Sequence, residues 1–178
     1  VSNNASIFTH GDKPPPSVSL GDDGLQIPLR SDAQALLARY FEFASPTYRF
    51  LHRQTVSRWL EEMYSYGAAE HPSKDIPPAR QAVVFMVLAI GSLYHTIFPE
   101  GPSRGTSDDR LNSERLFAAA QQKLDSEVGA ATLESVQARS AQCMYLLNSS
   151  RPNQAWFTCG TAVQLSMAIG LHRKRLAV

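Results

Sequence analysis

The chain predicts an all-α fold, a bundle of about six helices around a central apolar helix with no sheet. Three observations carry this expectation. Beyond residue 30, apolar residues recur at spacings of three and four, the period that lines one face of a helix. Capping residues, glycines and prolines bound those stretches where helices start and stop. The one β-branched run, between Ala82 and Ile90, has no partner strand elsewhere, and the pattern around it is of helical length.

Residues 1–30 carry no helical period; Pro14, Pro15, Pro16 and Pro28 alternate there with Gly11, Gly21 and Gly24, so they read as a flexible lead. The helical domain then spans 31–178. Ser31 and Gln34 have the spacing of a capping box, and Ala33, Leu36, Leu37 and Tyr40 supply the apolar face of a first helix that ends before Pro46. A second helix over about 54–66 carries Val56, Trp59, Leu60 and Met63 on one stripe. The third, about 78–98, is apolar all round through Ala82–Ile90, which predicts a helix covered on several sides. Asp108 or Asp109 caps a fourth helix reaching about Val128, with Leu116, Phe117, Ala120 and Leu124 inward. Thr132 caps a fifth, with Leu133, Val136, Met144 and Leu147 on its face, and Arg151-Pro152 breaks it.

The closing helix is the most explicit. Asn153 is placed to cap it, Trp156, Cys159, Val163, Met167 and Leu171 form an apolar stripe, and Gly170 marks its end. His172, Arg173, Lys174 and Arg175 follow where the helix dipole favours cations. Trp156 is expected to anchor the core, with ligand stacking as the alternative. Small residues at Ala155, Gly160, Ala162 and Ala168 allow a neighbouring helix to approach closely. The last two helices read as a hairpin, not as one copy of a repeat, because no second copy is legible upstream.

A formal net charge of +1 and a pI near 8.0 give no electrostatic case for nucleic acid or an anionic membrane as the main partner of this chain. The longest apolar run falls far short of the roughly twenty residues that span a bilayer. The opening residues lack the pattern of a secretory leader, and Val1 in place of methionine reads as the start of a cut or processed piece. Cys143 and Cys159 lie on apolar helical stretches and read as reduced thiols in small core positions, with a disulfide as the alternative.

The chain carries no glycine-rich phosphate loop, no HExxH and no GxSxG elbow, and His10, His52, His71, His95 and His172 are scattered. It therefore reads as a non-enzyme, with no cofactor or metal site of its own.

Four blocks in order resemble one regulatory family. They are YFEFASPTYRFLHRQTVSRWL (40–60), VVFMVLAIGSLY (83–94) with its Ala-x-Gly step, ERLFAAAQQKL (114–124), and TLESVQARSAQCMYLLNSSRPNQAWFTCGTAVQLSMAIGLHR (132–173). Together they resemble the fungal-specific transcription factor domain, the middle homology region downstream of the binuclear zinc cluster in fungal regulators. Gln54 and Val56 stand where that family more often has proline and phenylalanine, and Lys174 where it more often has an acid. The resemblance covers roughly 40–175 and looks like the N-terminal half of the family's domain.

The resemblance implies a nuclear regulatory region in RNA polymerase II transcription. It would control activator state through contacts with the remainder of its own polypeptide, a second subunit in a homodimer, or a small-molecule inducer or co-regulator. Zinc would reside only in a six-cysteine cluster of the parent protein, through which DNA is bound; two cysteines cannot build that cluster here. His52, Arg53, Trp156, Gly160, Gly170, His172 and Arg173 are the family-motif residues available for contacts. His52 otherwise reads as a loop residue bonding a backbone carbonyl, and Arg53 as solvated or paired with Glu61 or Glu62. The alternative function is a free-standing helical interaction or scaffold module.

Overall fold

A computed structural model describes residues 12–15, 27–67, 76–97 and 107–173. Among the described residues six α-helices form: α1 (Arg30–Arg39), α2 (Arg53–Gly67), α3 (Pro78–Ile97), α4 (Ser107–Asp125), α5 (Leu133–Asn148) and α6 (Pro152–Ala168). No strand occurs among the described residues. His10, His71, Lys174, Arg175 and the glycines of the lead lie outside them.

Helix α3 packs against α1, α2, α4 and α5. Every residue from Ala82 to Ile90 is at most 2% exposed, which explains why the run has no polar side. The other faces fall where the periodicity puts them: Ala33 and Leu37 from α1, Tyr40 just after it, Val56, Trp59, Leu60 and Met63 from α2, and Leu116, Phe117, Ala120 and Leu124 from α4 are buried. Gly91 explains the Ala-x-Gly step. A Cβ built there would lie 2.2 Å from the Leu36 carbonyl oxygen, so α1 crosses α3 backbone against side-chain-free backbone.

The chain leaves α1 through a wider turn, Tyr40–Ala44, of π-helical form, in which the Ser45 N–H reaches back to the Tyr40 carbonyl at 3.1 Å. The Ser31–Gln34 capping box does not form. The N-cap of α1 lies two residues earlier, at Leu29, and Gln34 Nε2 instead donates to Glu61 Oε1 of α2 at 3.0 Å. A tertiary acceptor has replaced the local one. Asp108 and Asp109 occupy the first turn of α4, which ends at Asp125, short of Val128. Thr132 does cap α5: the Ser135 N–H donates to Thr132 Oγ1 at 3.2 Å and the Thr132 N–H to Ser135 Oγ at 2.9 Å.

Candidate docking surface

Helices α5 and α6 form an antiparallel hairpin at the edge of the bundle, and α6 rests on α5. The corner between them is built by backbone geometry. Helix α5 closes with the Arg151 N–H bonded to the Leu146 carbonyl at 2.8 Å and the Ser150 N–H to that of Leu147 at 3.2 Å, with Ser150 in the left-handed region at φ 61°. Pro152 then opens α6 at the position where a missing N–H costs nothing.

The N-terminus of α6 is capped from far away. Asn153 does not cap it but sits in its first turn, with its Oδ1 buried and unbonded. The Asp12 carboxylate accepts from the Asn153 N–H at 2.9 Å and from the Gln154 N–H at 3.2 Å. The Lys13 N–H bonds the Ser150 carbonyl at 3.0 Å beside it. An anion at a helix N-terminus satisfies otherwise unpaired donors and opposes the dipole. Asp12→Ala is expected to lower stability by about 0.5–2 kcal/mol, read by urea denaturation, with faster hydrogen exchange in the first turn of α6. An unchanged midpoint would show that the cap contributes nothing in solution.

Beneath this corner lies a buried ion pair. Arg151 Nη2 meets Glu114 Oε1 of α4 at 2.8 Å, with the two side chains 3% and 7% exposed. The Arg151 Nε–H donates to Ser149 Oγ at 2.8 Å, and its guanidinium stands 5.0 Å from the Phe117 ring centre and 5.2 Å from that of Tyr145. Those two rings stack at 4.3 Å, and Ser113 Oγ lies 3.1 Å from the Tyr145 hydroxyl while donating to the Ala89 carbonyl at 2.8 Å. Burial holds the Tyr145 hydroxyl well above its ordinary pKa. One arginine thus ties the α5–α6 corner to α4, and through Ser113 the network reaches α3.

The apolar stripe of α6 points the other way from the expectation. Its buried side is formed by Ala155 and Ala162, small enough for α5 to approach, whereas Trp156, Phe157, Val163, Met167 and Leu171 are 65%, 74%, 51%, 55% and 54% exposed. Trp156 is therefore not a core anchor. Gly160 is exposed too, with nothing within 4 Å of a Cβ placed there, and Ala168 is exposed, so neither mediates the contact with α5. Leu147 of α5 is exposed, as is Leu133, so two of the four α5 residues expected inside face out. Cys159 is exposed and Cys143 half-buried; neither is a fully enclosed core thiol. The result is a set of exposed large apolar side chains along α6 and the turn after it, the kind of surface that marks an interaction site.

At the far end of that set, α6 closes as its sequence predicts. Gly170 has φ 76°, its N–H bonds the Met167 carbonyl and the Leu171 N–H bonds that of Ser166, each at 3.0 Å. His172 and Arg173 follow on the surface. His52 and Arg53 are on a different part of the molecule, at the start of α2. His52 Nδ1 bonds Thr55 Oγ1 at 3.1 Å and not a backbone carbonyl, while Glu61 and Glu62 pair with Arg30 and Arg58 and not with Arg53. The motif residues therefore do not converge: Trp156, Gly160, Gly170, His172 and Arg173 share α6 and its end, and His52 and Arg53 stand apart. Asp12 and Glu114 escaped sequence reasoning because their partners lie far away in the chain.

Among the described residues no group of three or more His, Cys, Asp or Glu could hold a metal ion, and no helix is long and apolar enough to cross a membrane. The model of the fungal specific transcription factor domain family matches residues 37–178. A protein of Saccharomyces cerevisiae, provisionally named transcriptional regulatory protein YJL206C, is 26% identical over 152 residues, covering 83% of this chain and 20% of the relative. The chain thus spans about a fifth of the length of that relative. No solved structure matches it significantly. The family match agrees with the resemblance carried by the four sequence blocks, and the chain belongs to the fungal specific transcription factor domain family.

Proposed function

We propose that the chain is the regulatory region of a fungal zinc-cluster transcription factor, acting in the nucleus on RNA polymerase II transcription, and that it sets activator state through contacts made by the outer face of α6. The carrying observation is that Phe157, Val163 and Met167 of α6 and Leu171 just past its end are exposed, while another side of the helix is packed on α5. Leaving such side chains in water is unfavourable by about 25 cal/mol per Å² relative to covering them. The occupant of this face is the remainder of the parent polypeptide, a choice supported by the yeast relative, of which the matched segment is only 20%. Covering or uncovering the face would then bias two states of the regulator.

On this reading the lead over 1–30 connects the helical domain, 31–178, to a six-cysteine zinc cluster elsewhere on the parent, and the chain holds no cofactor and catalyses nothing. Gly160 keeps the docking face flat, Trp156 flanks it, and Gly170, His172 and Arg173 end it in a turn with a cationic rim. His52 and Arg53 offer a second contact at the start of α2.

The test introduces Phe157→Glu with Val163→Glu into the full-length parent and follows a reporter gene under its control. A changed ratio of induced to basal transcription at equal protein level is expected, and an unchanged ratio overturns the reading. The isolated chain should bind a hydrophobic dye and lose that binding with the same pair of substitutions; a monomeric chain that binds no dye counts against the exposed face.

A further inference from the structure

Cys143 of α5 and Cys159 of α6 lie on the two packed helices of the hairpin. The Cys143 sulfur lies 3.5 Å from the Ala155 carbonyl oxygen. Within α6 that carbonyl is the acceptor for the N–H four residues on, which belongs to Cys159. The side chains of Ala155 and Cys159 also stand on the same face, one turn apart. The Cys143 sulfur therefore sits at the step of α6 from which the Cys159 side chain projects. We propose that Cys143 and Cys159 form a built dithiol, a modification site that hydrogen peroxide closes into a disulfide stapling α6 to α5. This inference is independent of the docking reading.

The roles of the two sulfurs follow from their surroundings. Burial, reinforced by the neighbouring Cys159, pushes the Cys143 thiol up to about 11, so it remains protonated at neutral pH. Cys159 is exposed and meets the oxidant first. Its thiolate attacks one peroxide oxygen, the O–O bond breaks, and the departing hydroxide takes up a proton as water, leaving a sulfenic acid on Cys159. The Cys143 sulfur then attacks the Cys159 sulfur and the S–O bond breaks. The leaving hydroxide receives the Cys143 proton as a second water. Two thiols and one peroxide become one disulfide and two waters. The bond spans the corner at 149–151, so it restrains the helix that otherwise rests on α5.

The test treats the full chain with hydrogen peroxide, counts free thiols after denaturation, and maps peptides without reduction. The expected result is loss of both thiols, a mass lower by two hydrogens, and a Cys143–Cys159 cross-linked peptide that dithiothreitol releases. The closed form should melt roughly 5–10 °C higher. Closure in concentrated urea should be slower by roughly tenfold or more, because the folded hairpin holds the sulfurs together. In Cys143→Ser the cross-link disappears and Cys159 gains oxygen instead. Oxygen accumulating on Cys159 of the unsubstituted chain while Cys143 still titrates overturns the proposal, as do disulfides formed only between two chains, or closure equally fast in urea.

Discussion

Arg151→Ala is expected to lower the stability of the chain by about 3–5 kcal/mol, because it strands the Glu114 carboxylate in the interior without its cation. The loss has several parts. Glu114 is nearly inaccessible, so water cannot replace the guanidinium, and Ser149 and the stacked Phe117–Tyr145 rings lose their contacts with it at the same time. Glu114→Ala strands the opposite charge and is expected to cost a similar amount. The double substitution Glu114→Leu with Arg151→Met removes both charges together and should recover much of the loss. Urea denaturation of the unsubstituted chain and the three variants reads these losses. A loss below about 1 kcal/mol for either single alanine, the size of an exposed pair, would show that water reaches the site.

Gly91→Ala is the second large effect, and its sign is the informative part. Helix propensity alone favours alanine over glycine in a helix interior by about 1 kcal/mol. Against this, the new methyl carbon would sit 2.2 Å from the Leu36 carbonyl oxygen and 2.9 Å from its carbon, atoms of backbone that no rotamer change can move aside. Helix α1 has to shift off α3, and the expected net result is destabilisation by about 2–3 kcal/mol. Gly160→Ala is the internal control, since it is helical and has open space around it. It should stabilise the isolated chain by about 0.5–1 kcal/mol. If both substitutions stabilise, the close crossing of α1 over α3 is wrong. If Gly160→Ala stabilises the chain yet blunts the response of the full-length regulator, the glycine is kept for a partner and not for the fold.

Much of the architecture is legible in the sequence because it is set by local chemistry. Period, caps and breakers act within about four residues of where they are written, which is why the six helices, the Thr132 cap and the Gly170 stop can be read directly. The errors share one cause. The Ser31–Gln34 box, the Asn153 cap and the inward Trp156 are all sound local inferences that a distant group overrode: Glu61 for Gln34, Asp12 for Asn153, and the small Ala155–Ala162 face for the large apolar stripe. The spacing of apolar residues identifies an apolar side of a helix but not what covers it.

The candidate surface shows the same division. Its residues were recognisable from the family-like wording of 153–173, and family membership followed from the same blocks. That they form an outward face could not be read, because α6 has two faces able to pack and the choice depends on what α5 offers. The Cys143 sulfur of α5 meets the Ala155 carbonyl at 3.5 Å, so α5 is met by the small-residue side of α6, and close approach favours small side chains. The large ones were left outside. By itself the sequence determined the helices, the Thr132 cap, the Gly170 stop and the family, since these depend on neighbours along the chain. Tertiary structure alone decided the capping of α6 by Asp12, the Arg151–Glu114 pair, the Gly91 crossing and the placing of the Cys143 sulfur against the Ala155 carbonyl. Each depends on distances between segments far apart in the chain, and no local pattern encodes them.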